Sequence, residues 1–230
     1  MSLKSLSSFL RTRLPVPEIS PTMRAPWLRT FVVFVTFILV TSALGFYIHQ
    51  KNMFELSPSI ESDSFDYDWI AWSMLSGHGF SRDTLKPDFL ALYPPLSKAS
   101  TFLPPPGPVM DRPPLFCGLL ALSYLAGRQF AVIRMVQCLL LACVASFIVQ
   151  YLWRYLGFFS AITTILFFLI VDHRLRLMSV QILTEPLSCF IVLCLFGVLL
   201  RWINRQHFVY PVLAGFLLGL LILNLSLIHI

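Results

Sequence analysis

The stretch LRTFVVFVTFILVTSALGFYI, residues 28–48, determines the class of fold. Its length matches the roughly 20 apolar residues that a helix needs to cross a bilayer, and no charged residue lies between Arg29 and His49. A secretory signal peptide has a shorter apolar region that ends in a small-residue cleavage site. Small residues do occur at positions 41–43, but the length of the stretch favours a retained membrane anchor.

The rest of the chain has the same apolar character. It is 57% hydrophobic and only 12% charged, whereas soluble domains carry about 25% charged residues. Apolar stretches at 131–153, 157–171, 183–203 and 208–224 follow the first one. The five cysteines all lie in apolar segments without a Cys-x-x-Cys pair, which indicates small buried hydrophobes rather than metal ligands or disulfides. The sequence therefore predicts an all-α, polytopic membrane protein.

The distribution of charge predicts the orientation of the chain. Residues 1–26 form a basic tail with one acid, Glu18, and by the positive-inside rule this tail is cytoplasmic. Residues 49–112 are the one long hydrophilic stretch and therefore form an external loop. Nine of the sixteen prolines fall between Pro87 and Pro114, so that part of the loop is expected to contain neither helix nor central strand. The net charge of +6 is dispersed at the membrane edges, which argues against a nucleic-acid partner.

One segment leaves the topology open. Residues 113–127 are apolar but only fifteen long, which is short for a membrane span. If they cross, the basic residues of the later loops become external: Arg154, Arg201 and Arg205. If they form a re-entrant or juxtamembrane half-helix, the same residues become cytoplasmic, as the positive-inside rule favours. That second arrangement also places Glu185 on the external face with Asp63.

The middle of the external loop, DSFDYDWIAWSMLSGHGFS at residues 63–81, predicts a short helix. Apolar side chains recur there at i, i+3, i+4 and i+7, namely Tyr67, Ile70, Ala71 and Met74. Trp69 and Trp72 lie beside that stripe, as in a helix at the membrane interface. The two glycines of Gly-His-Gly are expected to end the helix, which makes His78 a loop side chain rather than a catalyst.

Three aspartates lie in the first turns of that helix. Asp63 faces unpaired backbone N–H groups and the positive end of the helix dipole, so we expect it to stay ionised. An ionised carboxylate at the external membrane surface is able to accept a proton from a hydroxyl nucleophile. The alternative is that Asp63 only caps the helix. Asp66 is a candidate for substrate or metal contact, and Asp68 is the weakest candidate because first-turn acids stabilise helices on their own.

Two arginines and one glutamate complete the set of candidates. Arg112 precedes the apolar segment that begins with two prolines, and Arg134 lies near the external end of the next span. A guanidinium binds phosphate bidentately, so both are candidate phosphate ligands, with interfacial snorkelling as the alternative. Glu185 begins an apolar helix, where a charge is costly unless it is exposed, paired or functional. Its alternative role is that of a first-turn acid ahead of Pro186.

These motifs, in this order, resemble the GT-C glycosyltransferases. They are most similar to the bacterial family 39 type, which includes protein mannosyltransferase-like and lipopolysaccharide-sugar transferases. The shared features are Asp63-Ser64 followed by Tyr67, the Gly-His-Gly-Phe-Ser run, Arg112-Pro113-Pro114, Thr184-Glu185-Pro186-Leu187 and the run LAGFLLGL at 213–220. The resemblance implies that residues 27–224 are the N-terminal part of a GT-C transmembrane helix bundle whose long first external loop is 49–112.

The resemblance also implies a reaction. The donor would be a polyprenyl-phosphate-linked sugar, and the acceptor a lipid, glycan or protein at the outer face of the bacterial inner membrane. A divalent cation is the one cofactor considered. The implied roles are acceptor activation by Asp63, positioning of acceptor or cation by Glu185 and Asp66, and binding of the donor phosphate by Arg112 and Arg134. Ser64 stands where protein mannosyltransferases have Glu in an Asp-Glu pair, which disfavours a protein acceptor.

Two further expectations concern the end of the chain and other classes of protein. The last six residues, LSLIHI at 225–230, resemble the translation of a sequencing adapter, so the natural protein is expected to continue beyond about Asn224 with further spans. The competing functions are a multi-span transporter and a non-catalytic envelope assembly protein. A transporter is expected to have broken helices and charges at mid-membrane depth, whereas the acids here lie in loops or at helix ends.

Overall fold

The computed structural model describes residues 26–51, 57–58, 62–83, 87–93, 105–167 and 178–225. The predicted tail, apart from residue 26, and residues 226–230 of the adapter-like end lie outside these ranges. The protein is mostly helical, as the sequence predicts. The α-helices are α1 (Pro26–Gln50), α2 (Asp63–Leu75), α3 (Pro87–Leu90), α4 (Pro114–Ser123), α5 (Phe130–Leu156), α6 (Phe158–Leu166), α7 (Glu185–Arg205) and α8 (Val209–Asn224). Strands β1 (Ser81–Arg82) and β2 (Gly107–Pro108) pair antiparallel.

Three helices of the described part are long and apolar enough to cross a membrane. They comprise Thr30–Gln50, Phe130–Arg154 and Glu185–Arg205, which correspond to three of the predicted apolar stretches. The predicted span at 208–224 is a shorter apolar helix, α8, of 16 residues. The stretch 157–171 begins with the nine-residue helix α6, and the residues after 167 lie outside the described ranges. The structure thus supports a polytopic membrane protein by length and composition.

The apolar segment 113–127 is too short to cross as a helix. It forms the ten residues of α4, followed by a 3₁₀ turn at Tyr124–Ala126 and by Gly127, whose φ is 107°. At 1.5 Å per residue α4 is about 15 Å long, which is about half the thickness of the hydrocarbon core. Of the two alternatives, this length favours the half-helix.

The proline-rich part of the loop departs from the prediction. It was expected to contain no helix, but Pro87–Leu90 forms one helical turn. A proline is tolerated at the first position of a helix because its missing N–H would be unpaired there anyway. Strand β2 also ends in Pro108, which is compatible with a sheet of only two strands, where each strand is an edge.

The long helices pack around α5. Helix α1 is antiparallel to it, since Ile48 near the end of α1 and Cys138 near the start of α5 share one cluster, while Val32 packs against Trp153 at the opposite ends. Helix α7 is parallel to α5, because Gln137 contacts Leu183 just before α7 and the rings of Tyr151 and Phe196 lie 5.5 Å apart further along.

Helix α8 runs antiparallel to α7, since its last residue, Asn224, donates hydrogen bonds to Thr184 and Ser188. The ends of α1 and α8 and the starts of α5 and α7 therefore meet at one end of the bundle, called here the site end. Helices α2 and α4 pack on each other there, in a cluster that also includes Phe130 and Ile133 of α5.

The five cysteines are free thiols. Only Cys117 and Cys138 are buried, however, and Cys189 is exposed on the surface of α7. The expectation that all five cysteines are buried in the interior of the protein is therefore wrong. A cysteine on the outer surface of a spanning helix is compatible with a lipid environment, because the thiol behaves as a small hydrophobe.

Candidate functional site

Asp63 is the first residue of α2 and lies at the surface of the site end. Its side chain is 56% exposed, and its Oδ1 accepts a hydrogen bond of 2.7 Å from Nη1 of Arg112. Its Oδ2 has no hydrogen-bond partner among the described residues. The N-cap residue of the helix is Ser62, so the alternative role of Asp63 as the capping residue is wrong.

Asp66 lies one helical turn further along and is largely buried. Its carboxylate is held by two guanidinium groups, from Arg82 (Nη2 to Oδ2, 2.8 Å) and from Arg112 (Nη2 to Oδ2, 2.7 Å). Arg82 also contacts Asp111 at 3.3 Å. These five residues, Asp63, Asp66, Asp111, Arg82 and Arg112, are called here the acid–arginine cluster. With three carboxylates and two guanidinium groups, its formal charge is −1.

The local fold explains why these five side chains meet. Residues three apart on a helix are neighbours, so Asp63 and Asp66 share one face of α2. Arg82 lies in β1 opposite Gly107 of β2, and the chain continues from β2 directly to Asp111 and Arg112. The two-stranded sheet therefore brings Arg82, which lies in β1, and Arg112, which follows β2, to the carboxylate of Asp66.

The two arginines are fixed as cations by this arrangement. Burial alone lowers the pKa of Arg82, but the hydrogen bond and the charge of Asp66 outweigh it and leave the pKa raised. For Arg112, burial is likewise outweighed by the charges of Asp66 and then Asp63, so its pKa is raised as well. Neither guanidinium is therefore able to act as a proton donor or acceptor near neutral pH.

Tyr67 links the cluster to Glu185. Its ring is buried against Phe116 with the centroids 5.2 Å apart, and the guanidinium carbon of Arg112 lies 5.7 Å from the ring centroid. Its pKa is raised to about 12, first by burial, then by the charge of Asp63, with a smaller contribution from Glu185. Glu185 is exposed at the start of α7 and forms no ion pair within the described part of the chain. It lies at the site end but not in the acid–arginine cluster.

Arg134 is placed differently from the expectation of an interfacial residue. It is 3% exposed, and its Nε donates a hydrogen bond of 2.8 Å to the carbonyl oxygen of Val180. The snorkelling alternative is therefore wrong, because snorkelling requires the charged group to reach water. For Arg112 the same alternative fails, since its side chain is 18% exposed and bound to two aspartates.

Asp68 is the weakest of the three aspartate candidates in the sequence, but its carboxylate has several partners in the structure. It is fully buried, and its carboxylate accepts hydrogen bonds from the hydroxyl groups of Tyr93 and Tyr124 and from Arg128. Burial, followed by the charge of Asp68, raises the pKa of both tyrosines. Burial by itself lowers the pKa of Arg128. The hydrogen bond with Asp68 and the charge of Asp68 outweigh burial, so the pKa of Arg128 is raised. This group is called here the Asp68–Arg128 pair.

Aromatic rings surround the guanidinium of Arg128. The closest is Phe89, 4.2 Å from the guanidinium carbon to the ring centroid, and Trp72, Tyr93 and Phe130 lie within 5.6 Å. A sequence signal that could have indicated this residue is that Arg128 is the lone charge in the break between two apolar segments. Trp69 also departs from the interfacial expectation, since it is 2% exposed and its Nε1 donates to the carbonyl of Asp83.

The described residues contain no group of three or more His, Cys, Asp or Glu side chains that could hold a metal ion. A divalent cation requires several oxygen ligands, but both oxygens of Asp66 are engaged by arginines. Asp63 and Glu185 are the acidic candidates with an oxygen free of arginine. Within the described ranges, these residues therefore do not form a cation site.

Comparison with known proteins adds no family to this picture. No family model, curated protein or solved structure matches the chain. Function is therefore inferred from the geometry of the acid–arginine cluster, from the membrane-length helices beside it and from the resemblance of the sequence motifs.

Proposed function

We propose that the protein is an integral-membrane glycosyltransferase. It transfers a sugar from a polyprenyl-phosphate donor to a hydroxyl of an acceptor at the outer face of the bacterial inner membrane. The acceptor is lipid A or lipopolysaccharide, another envelope glycan, or a protein. The observation that supports this proposal best is the pairing of an exposed carboxylate, Asp63, with a fixed guanidinium, Arg112, at the end of a bundle of membrane-length helices.

Asp63 is the proposed general base. Its Oδ2 has no partner in the part of the chain that the structure describes, and the exposed side chain is able to meet a hydroxyl from solvent or from the membrane surface. In the reaction the acceptor hydroxyl gives its proton to Asp63 as its oxygen forms a bond to the anomeric carbon. The bond between that carbon and the phosphate oxygen breaks, and the phosphate leaves with the electron pair. Such a base contributes about 10² to 10⁴-fold to the rate.

Arg112 is the proposed partner of the leaving phosphate. Two of its nitrogens are occupied by the buried carboxylate of Asp66, which fixes the plane of the guanidinium. The third, Nη1, points to Asp63 and is thus the nitrogen at the exposed edge of the cluster. A guanidinium held in this way binds a phosphate oxygen without further ordering of its side chain.

The remaining candidates have supporting roles in this proposal. Glu185 lies at the site end and positions the acceptor, since its carboxylate has no ion-pair partner in the described part of the chain. Asp66 orients Arg112 rather than contacting substrate. Arg134 remains a proposed phosphate ligand, although its burial and its bond to Val180 favour Arg112 as the principal one.

The test of this proposal is the substitution Asp63→Asn in the full chain. Asparagine keeps the size of the side chain but removes the charge and the proton acceptor. We expect sugar transfer to fall by at least about 10²-fold, measured in proteoliposomes with a panel of radiolabelled polyprenyl-phosphate hexoses and pentoses. Asp88→Asn is the matched control, because Asp88 is an exposed first-turn acid of the same loop outside the cluster.

The two variants separate the proposal from its competitors. Near-normal transfer by Asp63→Asn would remove Asp63 as the base. Absence of transfer from every donor in the unchanged protein, together with uptake of a labelled solute into the vesicles, would favour the transporter instead.

A further inference from the structure

The peptide that leads into α7 is held by polar side chains from helices that are otherwise apolar. Nε2 of Gln137, on α5, donates to the carbonyl oxygen of Leu183 at 2.8 Å. Nδ2 of Asn224, on α8, donates to the carbonyl oxygen of Thr184 at 3.1 Å and to Oγ of Ser188 at 2.7 Å. The two amides are 1% and 0% exposed. Two neighbouring carbonyl groups are thus bound from two different helices.

This arrangement includes features that lower the free energy of unfolding of the bundle. The amide oxygens, Oε1 of Gln137 and Oδ1 of Asn224, have no hydrogen-bond partner among the described residues. A buried polar atom without a partner costs free energy, and polar side chains in membrane helices are rare and usually functional. An apolar side chain of the same size would remove that cost, but at position 137 it would also leave the carbonyl oxygen of Leu183 without its donor, so the two effects on the free energy of unfolding have opposite signs. Stability alone therefore does not account for the two amides.

The position of the peptide at 183–184 explains the presence of these two buried amides better than stability does. Pro186 lies in the first turn of α7, so the peptide at 183–184 lies just ahead of that helix, at the site end. Directly after this peptide, Leu187 packs against the cluster that contains Tyr67 and Phe116. The charge of Glu185 makes a small contribution to the raised pKa of Tyr67. The peptide bound by the two amides thus sets where Glu185 lies relative to α2.

We infer that Gln137 and Asn224 are positioning residues, which fix the peptide at 183–184 so that Glu185 is held at the site end. The significance of Glu185 as the group that positions the acceptor rests on the proposed function. The geometric claim is independent of it, since it concerns only where the start of α7 lies.

The experiment measures that position directly. Nitroxide labels are placed at Ser76→Cys, at the end of α2, and at Gln181→Cys, ahead of α7, in the full chain without its native cysteines. Both positions are exposed, and the labels are read by pulsed electron paramagnetic resonance in liposomes. We expect one narrow distance distribution. Gln137→Met and Asn224→Leu, which keep size but remove the donor, are each expected to broaden or shift it.

A matched control lies on the same helix as Gln137. Gln150 is also on α5, half-buried, and its side chain forms no hydrogen bond within the described part of the chain. Gln150→Met is therefore expected to leave the distribution unchanged. The midpoint temperature of unfolding is measured for all three variants, and it is expected to stay close to that of the parent.

Each outcome decides the inference. A broadened or shifted distribution at an unchanged midpoint temperature, for Gln137→Met or Asn224→Leu but not for Gln150→Met, supports positioning. An unchanged distribution in both overturns it. So does a broadening that comes only with a lowered midpoint temperature, since that result assigns the amides to general support of the bundle. If the distances respond as expected while Asp63→Asn keeps its activity, the proposed function fails and the positioning role stands.

Discussion

At the scale of residues, one helix presents acids to two different environments. A helical residue advances the side-chain direction by about 100°, so Asp63 and Asp66 lie on one side of α2 and Asp68 on the other. Asp63 is exposed and has one oxygen without a partner among the described residues, whereas Asp68 is fully buried among donors. Asp66 is intermediate, buried but shared by two arginines. Among the three acids of α2, chemistry that requires an accessible carboxylate is therefore confined to Asp63, and Asp68 has the contacts of a structural group.

The Asp68–Arg128 pair leads to a prediction about stability. Asp68→Asn leaves the charge of Arg128 without a counter-charge inside its ring of aromatic side chains. Breaking a buried ion pair from one side costs roughly 3–5 kcal/mol, so we expect a loss of that size in the free energy of unfolding, measured by denaturant titration in detergent. Asp88→Asn is expected to change it by less than about 0.5 kcal/mol.

A second variant identifies the unpaired charge as the cause. Adding Arg128→Met to Asp68→Asn removes that charge, and replacement of both partners of a buried pair is often close to neutral. The double variant is expected to regain part of the lost stability. A loss for Asp68→Asn no larger than that for Asp88→Asn would contradict the role of the pair.

Sequence reasoning at this scale found contacts only where motif order or helical spacing indicated them. Asp63, Asp66 and Arg112 were all candidates, and they do meet. Arg82 and Arg128 were not candidates, because the carboxylates that bind them lie 16 and 60 residues away in the chain. Periodicity reports neighbours within one element, whereas these pairs depend on how β1 and the start of α5 pack against α2.

At the scale of elements, helix α4 and the turn that follows it expose apolar side chains at the surface of the protein. Leu122 and Leu125 at its end are 65% and 72% exposed, and an apolar crevice of about 480 Å³ lies between α2 and α4. Gly118 in this crevice leaves open space where a Cβ would be. The sequence left two alternatives for this segment because hydrophobicity is the same for a span and for a half-helix. The helix length and the exposed leucines now favour insertion into one leaflet.

A depth measurement tests this view of α4. A bimane label at Leu122→Cys, in the full chain without its native cysteines, is expected to be quenched more strongly by a nitroxide on the lipid acyl chain than by iodide in the buffer. The exposed loop position Asp88→Cys is expected to show the reverse order. Stronger quenching by iodide at position 122 would place α4 in water and exclude the half-helix.

At the scale of the whole molecule, the packing of the helices decides which residues share an end. Apolar length predicted the three long helices because it depends on local sequence, and in both topologies that the sequence left open α5 and α7 run in the same direction. The contacts of Gln137 and Tyr151 establish that the two are parallel. The acid–arginine cluster and Glu185 therefore lie at the site end. Arg154, Arg201 and Arg205 lie at the other end, where α5 and α7 finish.

The final prediction concerns which side of the membrane each end occupies. Basic residues near the ends of spans favour the cytoplasm, so the end with Arg154, Arg201 and Arg205 is expected inside and the site end outside. Single cysteines at Ser62 and Thr184 are expected to react with a membrane-impermeant maleimide added outside right-side-out vesicles. A cysteine at Gln206, an exposed residue at the opposite end, is expected to react only after the vesicles are opened.

The pattern of labelling separates orientation from packing. Reaction of positions 62 and 184 from the inside and of 206 from the outside would keep the packing but reverse the orientation, and it would remove the external acceptor from the proposed function. Reaction of 62 and 184 from opposite sides would contradict the parallel arrangement of α5 and α7. The orientation matters for the chemistry because Asp63 is able to act on an envelope acceptor only if the site end faces outward.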